Sequence, residues 1–141
     1  LCPNCNADRL NKNASAIIKK EENDEKERLL KEAYKIVDAR EQICSGCGQV
    51  QHLSRSHIIR RSKNSDLIAE PDNIVLDCLF RINPDKFGNE GCHSRWESNN
   101  IEKMLTLNNF QERMNYLKYN DKSIYNTLLD KYNLWRNKQQ Q

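Results

Sequence analysis

Leu53-Ser-Arg-Ser-His57-Ile-Ile, Asp72-Asn73-Ile-Val-Leu-Asp-Cys78 and Gly91-Cys92-His93 are the three segments whose reading decides the fold. The first two are rich in β-branched and aliphatic residues, and polar residues with Pro71 lie between them. Two short strands joined by a loop are expected, over Gln51 to Ile59 and Asn73 to Phe80. The third segment should open a helix near Cys92 that carries His93, Trp96 and Glu97 on neighbouring turns. Ile82 to Glu90, with Pro84 and Gly88, reads as an irregular insertion.

Upstream stands Cys44-Ser-Gly-Cys47, and Cys2-Pro-Asn-Cys5 opens the sequence as a tight turn. Six cysteines with two Cys-x-x-Cys pairs admit disulfides, a redox dithiol or zinc. Nothing indicates secretion, which weighs against disulfides. Neither pair opens a helix in a βαβ context, as a redox dithiol would. Zinc fits best, because two intervening residues let both sulfurs of a turn face one tetrahedral ion at about 2.3 Å. Two groupings are open: Cys2, Cys5, Cys44 and Cys47 as a zinc ribbon, or Cys44, Cys47, Cys78 and Cys92.

The flanks read as helix. Leu30, Ala33, Tyr34 and Val37 recur at helical spacing, which predicts an amphipathic helix from about Asp24 to Glu41. Phe110, Met114 and Leu117 form a second stripe. Ile124, Leu128, Tyr132 and Trp135 form a third, with Asn120 or Asp121 placed to cap its start. The expected class is α+β, mostly helical, in three segments: 1–42, 43–98 and 99–141. With 141 residues, the chain has room for one modest core.

The 23 basic and 20 acidic residues leave a net charge of only +3, so overall charge argues weakly for a polyanionic partner. Its distribution says more. From Val50 to Ser65 there is no carboxylate, while Arg55, Arg60, Arg61 and Lys63 all fall there. Such a basic run beside a candidate active site favours a nucleic-acid substrate. No apolar run approaches bilayer-spanning length, so no membrane partner is expected. The expected setting is the cytoplasm of a bacterial or phage-infected host cell.

From Ile43 to Trp96 the order and spacing of these residues resemble the HNH endonucleases, which cut phosphodiester bonds with one divalent metal ion and one histidine base. The resemblance implies a central ββα-metal unit, a hairpin and helix stapled by zinc. It makes His57 the general base, Asn73 a buttress of the loop or base that in some members reaches the metal, and His93 a metal ligand. It favours Cys44, Cys47, Cys78 and Cys92 as the structural zinc ligands. Cys2 and Cys5 would then form a second zinc or knuckle site, or remain free thiols. Mg²⁺ or another divalent cation would be the catalytic metal, DNA the substrate, and small free-standing phage proteins the relatives.

Two departures from the family pattern stand out. Thirteen residues separate Cys78 from Cys92, where two are usual. Ser56 precedes the base, where many members carry a metal-binding Asp or His, and a serine hydroxyl is a poor ligand by comparison. The metal is then completed by Asn73, by Glu97 (four residues after His93 on one helix face) or, as an outsider, by His52; otherwise it is weakly held and completed by water and phosphate. Arg55 shares strand parity with His57 and is placed to clamp a phosphate. Arg60, Arg61 and Lys63 would track backbone phosphates, and Trp96 is expected in the core.

The leading expectation is thus a metal-dependent DNA endonuclease. One unit cuts one strand, so double-strand cleavage would need a dimer or two encounters. The alternatives are a catalytically degenerate zinc module that binds nucleic acid, and a recombination or junction-processing factor.

Overall fold

The computed structural model describes residues 3–141; the side chains of residues 3–10 and of Ser65 lie outside that description. The chain is α+β, with five α-helices and two small antiparallel sheets among the described residues.

The first helix, α1, runs Pro3–Arg40, far longer than the stretch from Asp24 that its apolar stripe marks. Between residues 4 and 40 there is no Gly or Pro, and from Ala14 onward Ala, Leu, Lys, Glu and Arg predominate. Exposed pairs at helical spacing add a little, with Arg28 bonded to Glu25 at 2.5 Å and to Glu32 at 2.7 Å. Helical propensity thus carries α1 upstream of any packing. The expected tight turn at Cys2 to Cys5 is replaced by helix from Pro3 onward, while Cys2 and the Cys5 side chain lie outside the described residues.

Strands β1 (Leu53–His57) and β2 (Ile74–Cys78) pair antiparallel, with Leu53 opposite Cys78 and His57 opposite Ile74. Every residue of β2 is buried, as suits a strand covered on both faces. Ile74 and Leu76 pack on Ala33 and Val37 of α1. Val75 faces the larger core, which holds Trp96, Met104, Leu107, Met114, Leu117 and Leu128. The unpaired edge of β2 is closed as well. Arg40 donates to the Ile74 carbonyl at 2.8 Å, Glu41 accepts from Leu76 N at 3.0 Å, and Ser45 N donates to the Leu76 carbonyl at 2.7 Å. A strand edge that would otherwise invite pairing is therefore satisfied within the chain.

The segment expected to be irregular is a second hairpin, β3 (Phe80–Asp85) and β4 (Gly88–Glu90). A two-stranded ribbon tolerates Pro84, whose missing N–H has no further strand to serve. Gly88 takes φ +67° at the turn, a conformation that favours glycine. Arg95 pins this hairpin through a bidentate pair with Asp85 at 2.6 and 2.8 Å.

The helices that follow are α2 (Cys92–Glu97), α3 (Ile101–Met104), α4 (Phe110–Asn120) and α5 (Lys122–Gln139). Asp121 caps α5, its carboxylate accepting from Ile124 N at 3.1 Å. Helix α4 is tied to β2 by a buried ion pair, Arg113 gripping Asp77 at 2.6 and 2.9 Å. Ser45 Oγ and Asn109 Oδ1 take the rest of that guanidinium, which lies 5.1 Å from the Trp96 ring centroid. No helix among the described residues is long and apolar enough to cross a membrane.

Candidate functional site

Four cysteines meet where the ends of the first hairpin come together. Cys44 and Cys47 sit on the turn after α1, Cys78 ends β2, and Cys92 opens α2. Their sulfurs all lie within 4.8 Å of one another, with Cys47 and Cys78 at 3.8 Å. Tetrahedral zinc at about 2.3 Å from each thiolate sets sulfurs roughly 3.8 Å apart. The spacing could hold a metal ion and is compatible with structural zinc.

The surroundings suit thiolates. Cys78 N points at Cys44 Sγ from 3.3 Å, Cys92 N at Cys78 Sγ from 3.4 Å, and Arg81 of β3 at Cys92 Sγ from 3.3 Å. Two glycines are required by close packing. A Cβ on Gly46 would lie 2.7 Å from Cys92 Sγ, and one on Gly91 would lie 2.3 Å from the Leu79 backbone. Among the thiols themselves, the hydrogen bond from Cys92 draws Cys44 down to about 5, against its burial. Holding that proton pushes Cys92 up, and burial pushes Cys78 up to about 11. Such a cluster must shed protons to bind a cation.

His57 ends β1, and His93 sits in the first turn of α2. His57 is buried, and its Nε2 is 2.8 Å from the Ile68 carbonyl. A carbonyl only accepts, so Nε2 carries the proton and Nδ1 keeps a free lone pair. Burial pulls the imidazole below the ordinary histidine value; the Ile68 bond opposes this, Arg61 and His93 add to it, and Glu97 counters. His57 is therefore neutral near pH 7 and has one basic nitrogen.

His93 is set by similar bookkeeping. Ser54 Oγ gives its one proton to the Asp77 carbonyl at 2.9 Å. Facing His93 Nδ1 at 2.7 Å, it must accept, so Nδ1 bears the His93 proton. The other ring nitrogen, Nε2, faces Glu97 Oε1 at 3.1 Å. Two acceptors at that distance call for a proton or a cation between them. An imidazole nitrogen beside a carboxylate forms an ion pair when protonated and a donor set that suits a divalent metal when not, and both side chains are partly exposed.

The remaining candidates fall into place differently. Asn73 is fully buried, and its amide is committed to the backbone. Oδ1 accepts from Ile59 N at 2.7 Å, while Nδ2 donates to the carbonyls of Ile59 and Leu67 at 3.0 Å each. This is a loop buttress, and the geometry offers no support for Asn73 as a metal ligand. Arg55 is turned toward α1, where Asp38 holds it at 2.5 and 3.1 Å and the Tyr34 ring lies beneath it, so it does not stand ready for a phosphate. Ser56 is buried, and its Oγ finds no hydrogen-bond partner among the described residues. His52 precedes β1 in a left-handed conformation, φ +58°, with its ring 4.0 Å from that of Phe80. Arg60 bonds the Glu97 carbonyl, and Arg61 and Lys63 are exposed. Trp96 is core, donating to the Ile58 carbonyl at 3.0 Å.

Sequence reasoning missed Ser54, which orients His93, and Arg81, which reaches the cysteine cluster from β3. Neither carries a local signal, since each acts through a partner 39 or 11 residues away. Comparison of the chain with protein-family models, curated proteins and solved structures finds no match.

Proposed function

We propose that the protein is a metal-dependent endonuclease of the HNH type that hydrolyses DNA, with zinc on Cys44, Cys47, Cys78 and Cys92 as a structural staple. What supports this reading is the hydrogen bonding of two histidines, each of which leaves one ring nitrogen for chemistry. His57 offers a basic Nδ1, and His93 offers Nε2 beside the Glu97 carboxylate.

On this reading His57 Nδ1 removes a proton from water as the new oxygen–phosphorus bond forms and the bond to the leaving 3′ oxygen breaks. The Ile68 carbonyl steadies the imidazolium produced, as the acceptor of Nε2–H. A divalent cation on His93 and Glu97 would neutralise charge on the scissile phosphate and on the leaving oxygen. Ser54 fixes the His93 ring and Asn73 fixes the loop that carries Ile68. Arg61 and Lys63 are free to meet backbone phosphates.

A second reading has a specific observation behind it. With Ser56 buried, Asn73 committed and His52 stacked on Phe80, His93 and Glu97 are the candidate ligands left among the described residues. A zinc module that binds nucleic acid without cutting it would need no more. Cleavage of plasmid by the parent with Mg²⁺, Mn²⁺ or Ni²⁺, beside Glu97→Gln, separates the two. The endonuclease reading expects Glu97→Gln to need much more metal for the same rate; DNA binding without cleavage under any metal supports the module.

A further inference from the structure

A cleft of about 370 Å³ opens between the loop after β1 and helix α5. Its floor includes Ile58, Trp96, Met104 and Leu128, all buried and, apart from the indole N–H of Trp96, apolar. Its rim carries Arg60 and Lys63 from the loop and Lys131 from α5. Asp121 is the one carboxylate that lines it, and that group is occupied in capping α5. Two of the cations are held in place. Arg60 bonds the carbonyl of Glu97, and Lys131 Nζ bonds the carbonyl of Asn99 at 3.1 Å. The Glu97 carbonyl ends α2, the helix that presents His93 and Glu97, and Asn99 follows two residues later.

A rim with three cations against one carboxylate, over an apolar floor, selects a ligand that is anionic at its edge and flat and apolar in its body. A nucleotide has that chemistry. The volume suits a small molecule, so a continuous duplex has no way in. From these observations we infer that the cleft receives one unpaired nucleotide of the nucleic-acid strand, flanking the bond to be cut. The base would lie on the apolar floor, with the phosphates on Arg60, Lys63 and Lys131. The inference rests on the endonuclease reading for the strand's direction past His57 and His93. It gives α5 a role in substrate selection and makes single-stranded or branched substrate preferred over blunt duplex.

The test is a binding measurement, so that it stands apart from cleavage. Zinc-loaded full-length protein is titrated, in EDTA-free buffer without added Mg²⁺, into a fluorescein-labelled 12-nucleotide single strand, the matching blunt duplex, and a free nucleoside 5′-monophosphate as competitor. The single strand should bind at least tenfold tighter than the duplex. Lys131→Gln should weaken binding and lower the salt slope by about 1. Thr127→Trp, an exposed change at the cleft mouth, should abolish the preference for single strand. Equal or tighter duplex binding, or a Thr127→Trp protein that keeps the preference, would overturn the inference. So would competition by the free nucleotide as effective as that by the strand, which would make the cleft a mononucleotide site. If the binding results hold and no metal supports cleavage, the cleft stands and the endonuclease reading falls. Cleavage that favours duplex and ignores Thr127→Trp would do the reverse.

Discussion

Asn73→Ala probes how the loop and the base are held together. The side chain makes three hydrogen bonds to backbone, one from Ile59 N and one to each of the Ile59 and Leu67 carbonyls, with no exposure to water. At about 1 kcal/mol net for each bond, the substitution should cost roughly 3 kcal/mol, and more where water cannot reach the abandoned groups. A domain of this size has on the order of 5 to 15 kcal/mol in all, so the variant should still fold. The loop that carries the Ile68 carbonyl would loosen, and with it the hold on His57 Nε2. Urea unfolding of the zinc-loaded protein measures the first effect. Plasmid cleavage across a range of metal concentrations measures the second: the rate should fall while the metal concentration giving half-maximal cleavage stays put, since Asn73 bonds neither His93 nor Glu97. A variant as stable as the parent to within about 0.5 kcal/mol, but needing many times more metal, would refute the buttress and make Asn73 a ligand.

Three further outcomes concern the thiols and His57. With Cys78 pushed up to about 11 and Cys92 raised as well, both must lose protons to bind zinc. Zinc affinity, read by chelator competition, should therefore rise with pH between 6 and 8, by roughly tenfold per pH unit for each such thiol; a flat profile would contradict the four-thiolate site. Cys78→Ser should lose zinc and unfold the central unit together, as judged by zinc content and circular dichroism. Burial holds the His57 imidazolium below the ordinary 6.5, so its basic form persists as pH falls through that value. The acid limb of kcat/KM should lie below pH 6.5, and a limb above pH 7 would mean that another group is the base.

Much of this was legible in the sequence where a pattern is local. The runs of β-branched and aliphatic residues mark β1 and β2, and the stripes at Phe110 and Ile124 mark α4 and α5, because core-facing periodicity is written into neighbouring residues. The length of α1 was not: its residues 11–29 are exposed, and the short apolar spacing of Leu10, Ala14, Ile17 and Ile18 lies apart from the stripe that packs. The β3–β4 hairpin was hidden by Pro84 and Gly88, which read as breakers until a two-stranded ribbon accommodates them. Arg55 misled through parity: it shares a register with His57, yet Asp38 and Tyr34, 17 and 21 residues upstream, draw it to α1. The buried Arg113–Asp77 pair spans 36 residues, and nothing near either residue announces the other. The grouping of Cys44, Cys47, Cys78 and Cys92 was expected from the resemblance, and the fold brings those four together.

The measurement closest to the central claim is relaxation of supercoiled plasmid by the purified protein with Mg²⁺, Mn²⁺ or Ni²⁺, beside His57→Ala checked for zinc content and circular dichroism. Nicking that needs the added metal and disappears in a variant with parental zinc and fold is the predicted result. Equal nicking by the variant, or none by a zinc-loaded parent under any of the metals, would contradict it.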